Sequence, residues 1–260
     1  VASVWESVRP DLVVHLAGQS SAARSFEAPA ETFEANVLGT FRMLQAMHAV
    51  APRARMLVVG TSEVYGSIEP GTRANEDAPQ KPVSPYALSK SIAERLALEF
   101  ATQHSLDVVC ARPFGHTGPG QTPRFVIPSF AQQIAAIEAG KAEPVLRVGN
   151  LEVTRDLTDV RDIVEGYCAL LERGHRGGVY NLGRGEGVVL SQVAASLAAM
   201  AKVEVRVEVD PARLRPADVP YLVGDPSRVR RDTGWHATRP LAQTLSDVLQ
   251  EWRGAARGQV

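Results

Sequence analysis

Four short runs rich in β-branched residues, DLVVHLAG (11–18), RMLVVG (55–60), LDVVCARP (106–113) and GVYNLG (178–183), alternate with stretches of helical length. This alternation constrains the fold more than any other feature. Parallel strands need a long crossover between them, and a sheet covered on both faces hides its strands, so they read as continuous apolar runs. The segments between them, ETFEANVLGTFRMLQAMHAV (31–50), the stretch that follows Pro85 and TDVRDIVEGYCALLERG (158–174), are long enough for right-handed connections. The expected class is therefore α/β, with a doubly wound, Rossmann-like parallel sheet.

After Pro113 the texture changes. PGQTPRFVIPSFAQQIAAIEAG and the basic, proline-punctuated DPARLRPADVPYLVGDPSRVRRDTGW suggest a smaller second lobe. The expected division is a dinucleotide-binding body over 1–112 and 156–185, and a substrate lobe over 113–155 and 186–260. A doubly wound dinucleotide fold should open on a strand and a G-x-x-G-x-x-G turn, whose amides approach the pyrophosphate. This sequence opens on VASVWESVRPD, already helical in character, so the expectation is a chain that lacks the first three strands, leaving HLAG on an exposed sheet edge, or else another fold. GRGEG (183–187) follows the last strand and is expected to be a poor phosphate cradle.

Composition narrows the classes. The 260 residues carry a net charge of -1, 45% are hydrophobic and 22% charged, which asks for neither a nucleic-acid nor a membrane partner. No run approaches the eighteen or so apolar residues of a span, and no signal peptide opens the chain. Cys110 and Cys168 lie in apolar runs without C-x-x-C spacing, so both are expected to be buried free thiols in a reducing, cytoplasmic compartment. No metal is expected.

The chemistry concentrates in SPYALSK (84–90), where Lys90 follows Tyr86 by one helical turn. With 4 Lys and 5 Tyr in 260 residues, random placement gives roughly 0.08 such pairs at i, i+4. Pro85 suits a first helical turn, and Ile92, Leu96 and Phe100 recur every four residues after it. A free phenol titrates near 10, and a neighbouring ammonium is expected to move Tyr86 towards the working range. Tyr86 could then exchange a proton with a sugar oxygen. Thr61 and Ser62, in GTSEVYG directly after the second run, sit where ligands bind at the carboxyl edge of a parallel sheet. The plain alternatives are a half-buried tyrosine with a snorkelling lysine and ordinary turn chemistry at Thr61 and Ser62.

Together these motifs resemble the extended short-chain dehydrogenase/reductase family and, within it, the nucleotide-sugar enzymes. HLAG (15–18), NVLGT (36–40), TSEVYG (61–66), SPYALSK (84–90) and RPFGHTGPGQ (112–121) carry the resemblance. It implies catalysis by Thr61, Tyr86 and Lys90 with Glu63, and a cofactor, NADP with NAD possible, bordered by Leu16, Ala17, Gly18, Asn36, Tyr86, Lys90, Pro113 and His116. RVGNLEVTRDLTDVRD (147–162) and RLRPADVPYLVGD (213–225) are similar to the reductases of GDP-4-dehydro-6-deoxy-D-mannose, which form GDP-D-rhamnose. A GDP-sugar substrate is then implied, with Ser62 and Glu63 near the sugar, Arg155 on the diphosphate, and Arg215 with Asp218 at the GDP end. Guanidinium groups suit a diphosphate; surface pairing of Arg155 with Asp156 and of Arg215 with Asp218 is the alternative. The sister 4,6-dehydratases use the glutamate at the position of Glu63 to abstract a C5 proton, so Glu63 does not separate the two, and a catalytically silent GDP-sugar-binding protein stands as a third reading. Gly115 departs from the family's asparagine. His116 beside it reads as a turn residue whose ring is satisfied rather than as an acid or base. The helices over 31–50 and 86–104 form a homodimer interface in many relatives.

Overall fold

The computed structural model describes residues 1–214, 219–256 and Gly258. The first part of the chain forms α1 (Ala2–Val8), β1 (Leu12–His15), α2 (Ala22–Glu27), α3 (Pro29–Phe33), α4 (Gly39–Val50), β2 (Arg55–Val59), α5 (Pro85–Gln103) and β3 (Asp107–Pro113). Next come β4 (Gly115–Thr117), α6 (Val126–Glu138), β5 (Val145–Val148), β6 (Thr154–Asp159), α7 (Val160–Arg173) and β7 (Val179–Leu182). The remainder forms β8 (Gly187–Val189), α8 (Leu190–Ala199), β9 (Arg206–Val209), β10 (Tyr221–Leu222), α9 (Ser227–Thr233) and α10 (Leu241–Ala256).

Each of the four apolar runs forms a strand, and together they make one parallel sheet in the order β1-β2-β3-β7. The two-residue side-chain period divides β2 and β3 between two cores. Met56, Val58, Val108 and Cys110 pack with Trp5, Leu44, Met47, Ala97 and Ala101 on one face. Leu57, Val109 and Ala111 pack with Ile163, Tyr167 and Leu170 of α7 on the other, where Val229 and Trp235 join them. This is the doubly wound arrangement that the alternation of runs and helices predicts. β1 lies at the sheet edge with Leu12 59% and Val14 40% exposed.

A second assembly is built on β6, which pairs in parallel with β10 and β4 and antiparallel with β8. β5 and β9 form a separate parallel pair. Phe130, Ile134, Leu146, Leu157, Leu197 and Leu249, drawn from α6, α8, α10 and these strands, share one core. The turn GRGEG lies against this assembly. The amides of Arg184 and Gly185 donate to the carboxylate of Asp156 at 2.9 Å each, and that of Gly224 at 3.2 Å. The expectation of a poor phosphate cradle is met for a physical reason: an internal anion already holds those donors.

One cysteine differs from expectation. Cys110 is buried in β3, but Cys168 is exposed. α7 turns Ile163, Tyr167 and Leu170 to the sheet, and position 168 falls on the opposite side of a 3.6-residue helix. Among the described residues no helix is long and apolar enough to cross a membrane.

Candidate active site

The site is assembled where β2 ends. A Cβ on Gly60 would stand 2.9 Å from the carbonyl of Ala111, so only glycine lets β2 and β3 approach this closely before the chain turns. Thr61 follows in extended conformation and caps a short 3₁₀ turn, Ser62–Tyr65, by accepting from the Glu63 amide at 3.2 Å. Thr61 and Ser62 are both buried.

Opposite this turn α5 begins. Ser84 caps the helix by accepting from the Ala87 amide at 3.1 Å, and Pro85 occupies the first turn, where no donor is missed. Tyr86 and Lys90 therefore stand one turn apart, and the cap fixes which way they face. Tyr86 is 8% exposed and shares a side-chain hydrogen bond with Thr61. The hydroxyl and the phenol singled out in the sequence do meet.

The electrostatics correct the expectation for Tyr86. Burial raises its phenol well above the ordinary tyrosine value and the Glu63 carboxylate adds to the rise, while the hydrogen bond with Thr61 pulls the other way. Lys90 does not bring the phenol down. Its ammonium donates to the Val59 carbonyl at 2.7 Å, and burial lowers it to about 8. Desolvation thus outweighs the attraction that the spacing implies.

Leu16, Ala17 and Gly18 run past Lys90 with their surfaces exposed. A Cβ on Gly18 would lie 2.6 Å from Asn36 Oδ1 and 3.7 Å from Lys90 Nζ, so a bare backbone is required there. Asn36 sits in a π-helical turn, Glu34–Leu38, an irregularity common at functional positions. Its amide is fully used: Oδ1 accepts from the Gln19 amide at 2.8 Å, and Nδ2 donates to the Gln19 carbonyl at 3.0 Å and to Ser89 Oγ at 2.9 Å. Asn36 therefore braces the loop after β1 against α5. His15, not singled out in the sequence, shares a 3.0 Å hydrogen bond with Thr40, and burial, then the charge of Lys90, lower its ring to about 4. A neutral imidazole stands behind the ammonium at pH 7.

The turn after β3 leads from this centre to a cleft of about 380 Å³. Pro113 is buried at the end of β3, and Gly115 and His116 line the cleft. His116 Nδ1 is engaged with the Phe114 carbonyl at 2.8 Å, and burial lowers the ring, which fits a satisfied turn residue. The structure also accounts for Gly115: a Cβ there would stand 2.8 Å from the Asp156 carbonyl and 3.0 Å from Leu157 Cδ2. β4 and β6 approach too closely for a side chain. Arg155, on β6, lines the cleft and donates to the Thr154 carbonyl at 2.9 Å. Arg215 and Asp218 lie outside the described residues.

Two arginines in the same cleft, Arg124 and Arg213, were not singled out in the sequence, although Arg213 opens the RLRPADVPYLVGD segment. Arg124 precedes α6, Arg213 closes a 3₁₀ turn near β9, and only the folded chain brings them to one place. Arg213 also stands 3.5 Å from Asp210. Tyr86 is not part of the cleft lining. RPFGH runs from the end of β3 into the cleft lining at Gly115 and His116.

The sequence model of the family described as GDP-mannose 4,6 dehydratase matches residues 1–248. The GDP-6-deoxy-D-mannose reductase of Pseudomonas aeruginosa is 37% identical over 258 residues, covering 99% of this chain and 84% of that protein. The structure of RMD from Pseudomonas aeruginosa complexed with NADPH superposes with a TM-score of 0.90 at 36% identity, over 95% of this chain and 82% of the other. The UDP-glucose 4-epimerase of Thermus thermophilus in complex with NAD gives 0.88 at 28% identity, over 98% and 81%.

Proposed function

The chain belongs to the extended short-chain dehydrogenase/reductases, in the GDP-mannose 4,6-dehydratase family, and from that premise we propose that it is an NAD(P)H-dependent reductase. It reduces the C4 ketone of GDP-4-dehydro-6-deoxy-D-mannose to give GDP-D-rhamnose. The observation that carries the reading is the meeting of Thr61 and Tyr86 at the carboxyl edge of the sheet, with Lys90 one turn on, beside a cleft bearing Arg124, Arg155 and Arg213.

The residues present fit a nicotinamide cofactor. The exposed Leu16–Gly18 backbone is a cradle that a Cβ at Gly18 would fill, and Lys90 is the cation beside it. Leu16, Ala17, Gly18, Tyr86, Lys90 and Pro113 would hold the group, NADPH or NADH, while Asn36 fixes the loop. The chemistry supplied by the bound cofactor is hydride delivery to C4. Tyr86 gives its proton to the C4 oxygen, and the raised value of its phenol keeps that proton in place at neutral pH. A developing alkoxide is a stronger base still, so the transfer runs downhill. Thr61 stabilises the phenolate left behind by hydrogen bond. Solvent then returns the proton.

The diphosphate is the part of the substrate that the arginine-bearing cleft suits, because guanidinium groups stay charged and can bind it in a bidentate manner. In this reading Ser62 and Glu63, on the 3₁₀ turn that follows Thr61, face the sugar. The division into a dinucleotide-binding body (1–112 and 156–185) and a nucleotide-sugar lobe (113–155 and 186–260) belongs to the same reading. So does a homodimer through the helical segments 31–50 and 86–104, which carry the exposed Leu38 and Leu88; sedimentation of a monomer at micromolar concentration would overturn it. A cytoplasmic location accords with the two free cysteines.

The 4,6-dehydratase reading draws on the family model and on the closeness of the Glu63 carboxylate to Tyr86. The near-ultraviolet absorbance of the reduced nicotinamide separates the two. Net consumption with the 4-keto sugar supports the reductase, and conversion of GDP-mannose without net consumption overturns it.

A further inference from the structure

Beneath the Gly60–Thr61 step lies a buried ion pair that the reaction itself does not use. Arg112, near the end of β3, donates from Nε and Nη2 to the two carboxylate oxygens of Glu94 at 2.8 and 2.7 Å. Their side chains are 5% and 3% exposed. The remaining edge of the guanidinium donates from Nη1 to the Tyr65 hydroxyl at 2.7 Å and to the Glu76 carbonyl at 3.0 Å. The Tyr65 hydroxyl in turn donates to Asn181 Oδ1 at 2.7 Å, and Arg112 lies 5.0 Å from the centre of the Tyr65 ring. A Cβ on Gly60 would come within 3.6 Å of Glu94 Oε2, so the pair packs directly under the turn that presents Thr61.

The two partners of Arg112 are significant because of what shares their elements. Glu94 is one turn beyond Lys90 on α5, and Tyr65 closes the 3₁₀ turn that begins at Ser62 and carries Glu63. We propose that Arg112 is a positioning residue: one guanidinium ties the turn bearing Thr61 to the helix bearing Tyr86 and Lys90, and so sets the geometry between hydroxyl and phenol. Stability alone does not explain the arrangement, because buried ion pairs are often matched or bettered by apolar residues of similar volume. Orientation does, since a planar fork fixes two partners at set angles, which lysine, a point charge, cannot do.

The test uses the full-length protein with Tyr65→Phe and Arg112→Lys. Tyr65→Phe deletes one hydroxyl without adding volume and keeps the test open if Arg112→Lys does not fold. With the 4-keto sugar, kcat is expected to fall roughly ten- to hundredfold in each, the scale of a small misplacement of reacting groups, while KM stays within about threefold. Amide exchange is expected to quicken in both segments, 61–66 and 84–90. A lowered melting temperature with kcat per folded molecule unchanged overturns the proposal, and so does a loss carried by KM. The kinetic arm rests on the reductase reading, but the exchange arm does not. If the parent consumes no NADPH, that reading fails on its own, and exchange decides the tie: unchanged protection of both segments in Tyr65→Phe overturns it.

Discussion

The ammonium of Lys90 donates to the carbonyl of Val59 at 2.7 Å, so the cation of the site is held by the last residue of the strand that presents Thr61. Lys90→Met cuts this tether and removes the cation that stands beside the Leu16–Gly18 cradle. Turnover is expected to fall roughly a hundredfold or more, with the fold retained by circular dichroism. Unchanged turnover would remove Lys90 from the mechanism.

The same lysine sets a pH limit. Burial lowers it to about 8, so it is mostly cationic at pH 7 and mostly neutral at pH 9. Since kcat/KM reports the free enzyme, its value for NADPH is expected to decline as pH rises through about 8. Lys90→Arg, which stays charged, should carry that decline out of range. A decline that persists unchanged in Lys90→Arg belongs to another group.

Tyr86→Phe removes the proton donor but keeps the ring. A loss in kcat of about 10²- to 10⁴-fold is expected, with little change in the melting temperature, because the ring packing survives. Single-turnover kinetics checks that the loss lies in the chemical step.

Arg124→Ala and Arg155→Ala each remove a charged donor from the cleft. GDP binding measured by calorimetry is expected to weaken about tenfold or more in each, the worth of a hydrogen bond to a charged group. Equal affinity in both variants would move the nucleotide elsewhere.

Gly115→Asn restores the residue usual in the family but not the room for it. A Cβ 2.8 Å from the Asp156 carbonyl must push β4 from β6, and a loss of about 1–3 kcal/mol is expected. Thermal unfolding would show this as a drop of several degrees, at ~2–4 °C per kcal/mol for a chain of this size. No drop would mean that the strands yield freely.

Asp159 supplies an acid limit to stability. Burial pushes its carboxyl up, but hydrogen bonds from Arg161 and Thr244 outweigh this and hold it at about 2. A carboxyl lowered on folding stabilises above its unfolded value, near 3.9, and that contribution is lost as pH falls from there through about 2. About 2.5 kcal/mol is at stake. Asp159→Asn, which cannot ionise, should show a flatter decline in melting temperature over this range.

Much of the fold was legible because its causes are local. Valine-rich apolar runs mark the strands, and Ser84 with Pro85 fixes where α5 starts, which places Tyr86 and Lys90. The buried stripe of α5 was less visible: Ala93, Ala97 and Ala101 face the core, while Ile92, Leu96 and Phe100 are only half-buried. Small residues meet the sheet, and the larger ones flank them. Cys168 was misjudged because a local apolar run does not reveal which side of a helix is covered. Partners far apart in sequence were the least legible. Neither the Lys90–Val59 bond nor the convergence of Arg124 and Arg213 has a spacing to betray it, and the desolvation that decides the state of Tyr86 is a property of the packed site.

Asp156 shows how such a chain can spend a glycine turn on itself. Held at about 6 by burial against the pull of three amides, this carboxylate acts as a resident counter-ion, so the backbone donors of residues 184, 185 and 224 are unavailable to any arriving anion. Selection among phosphorylated ligands is left to side chains, which mutation can retune without disturbing the frame.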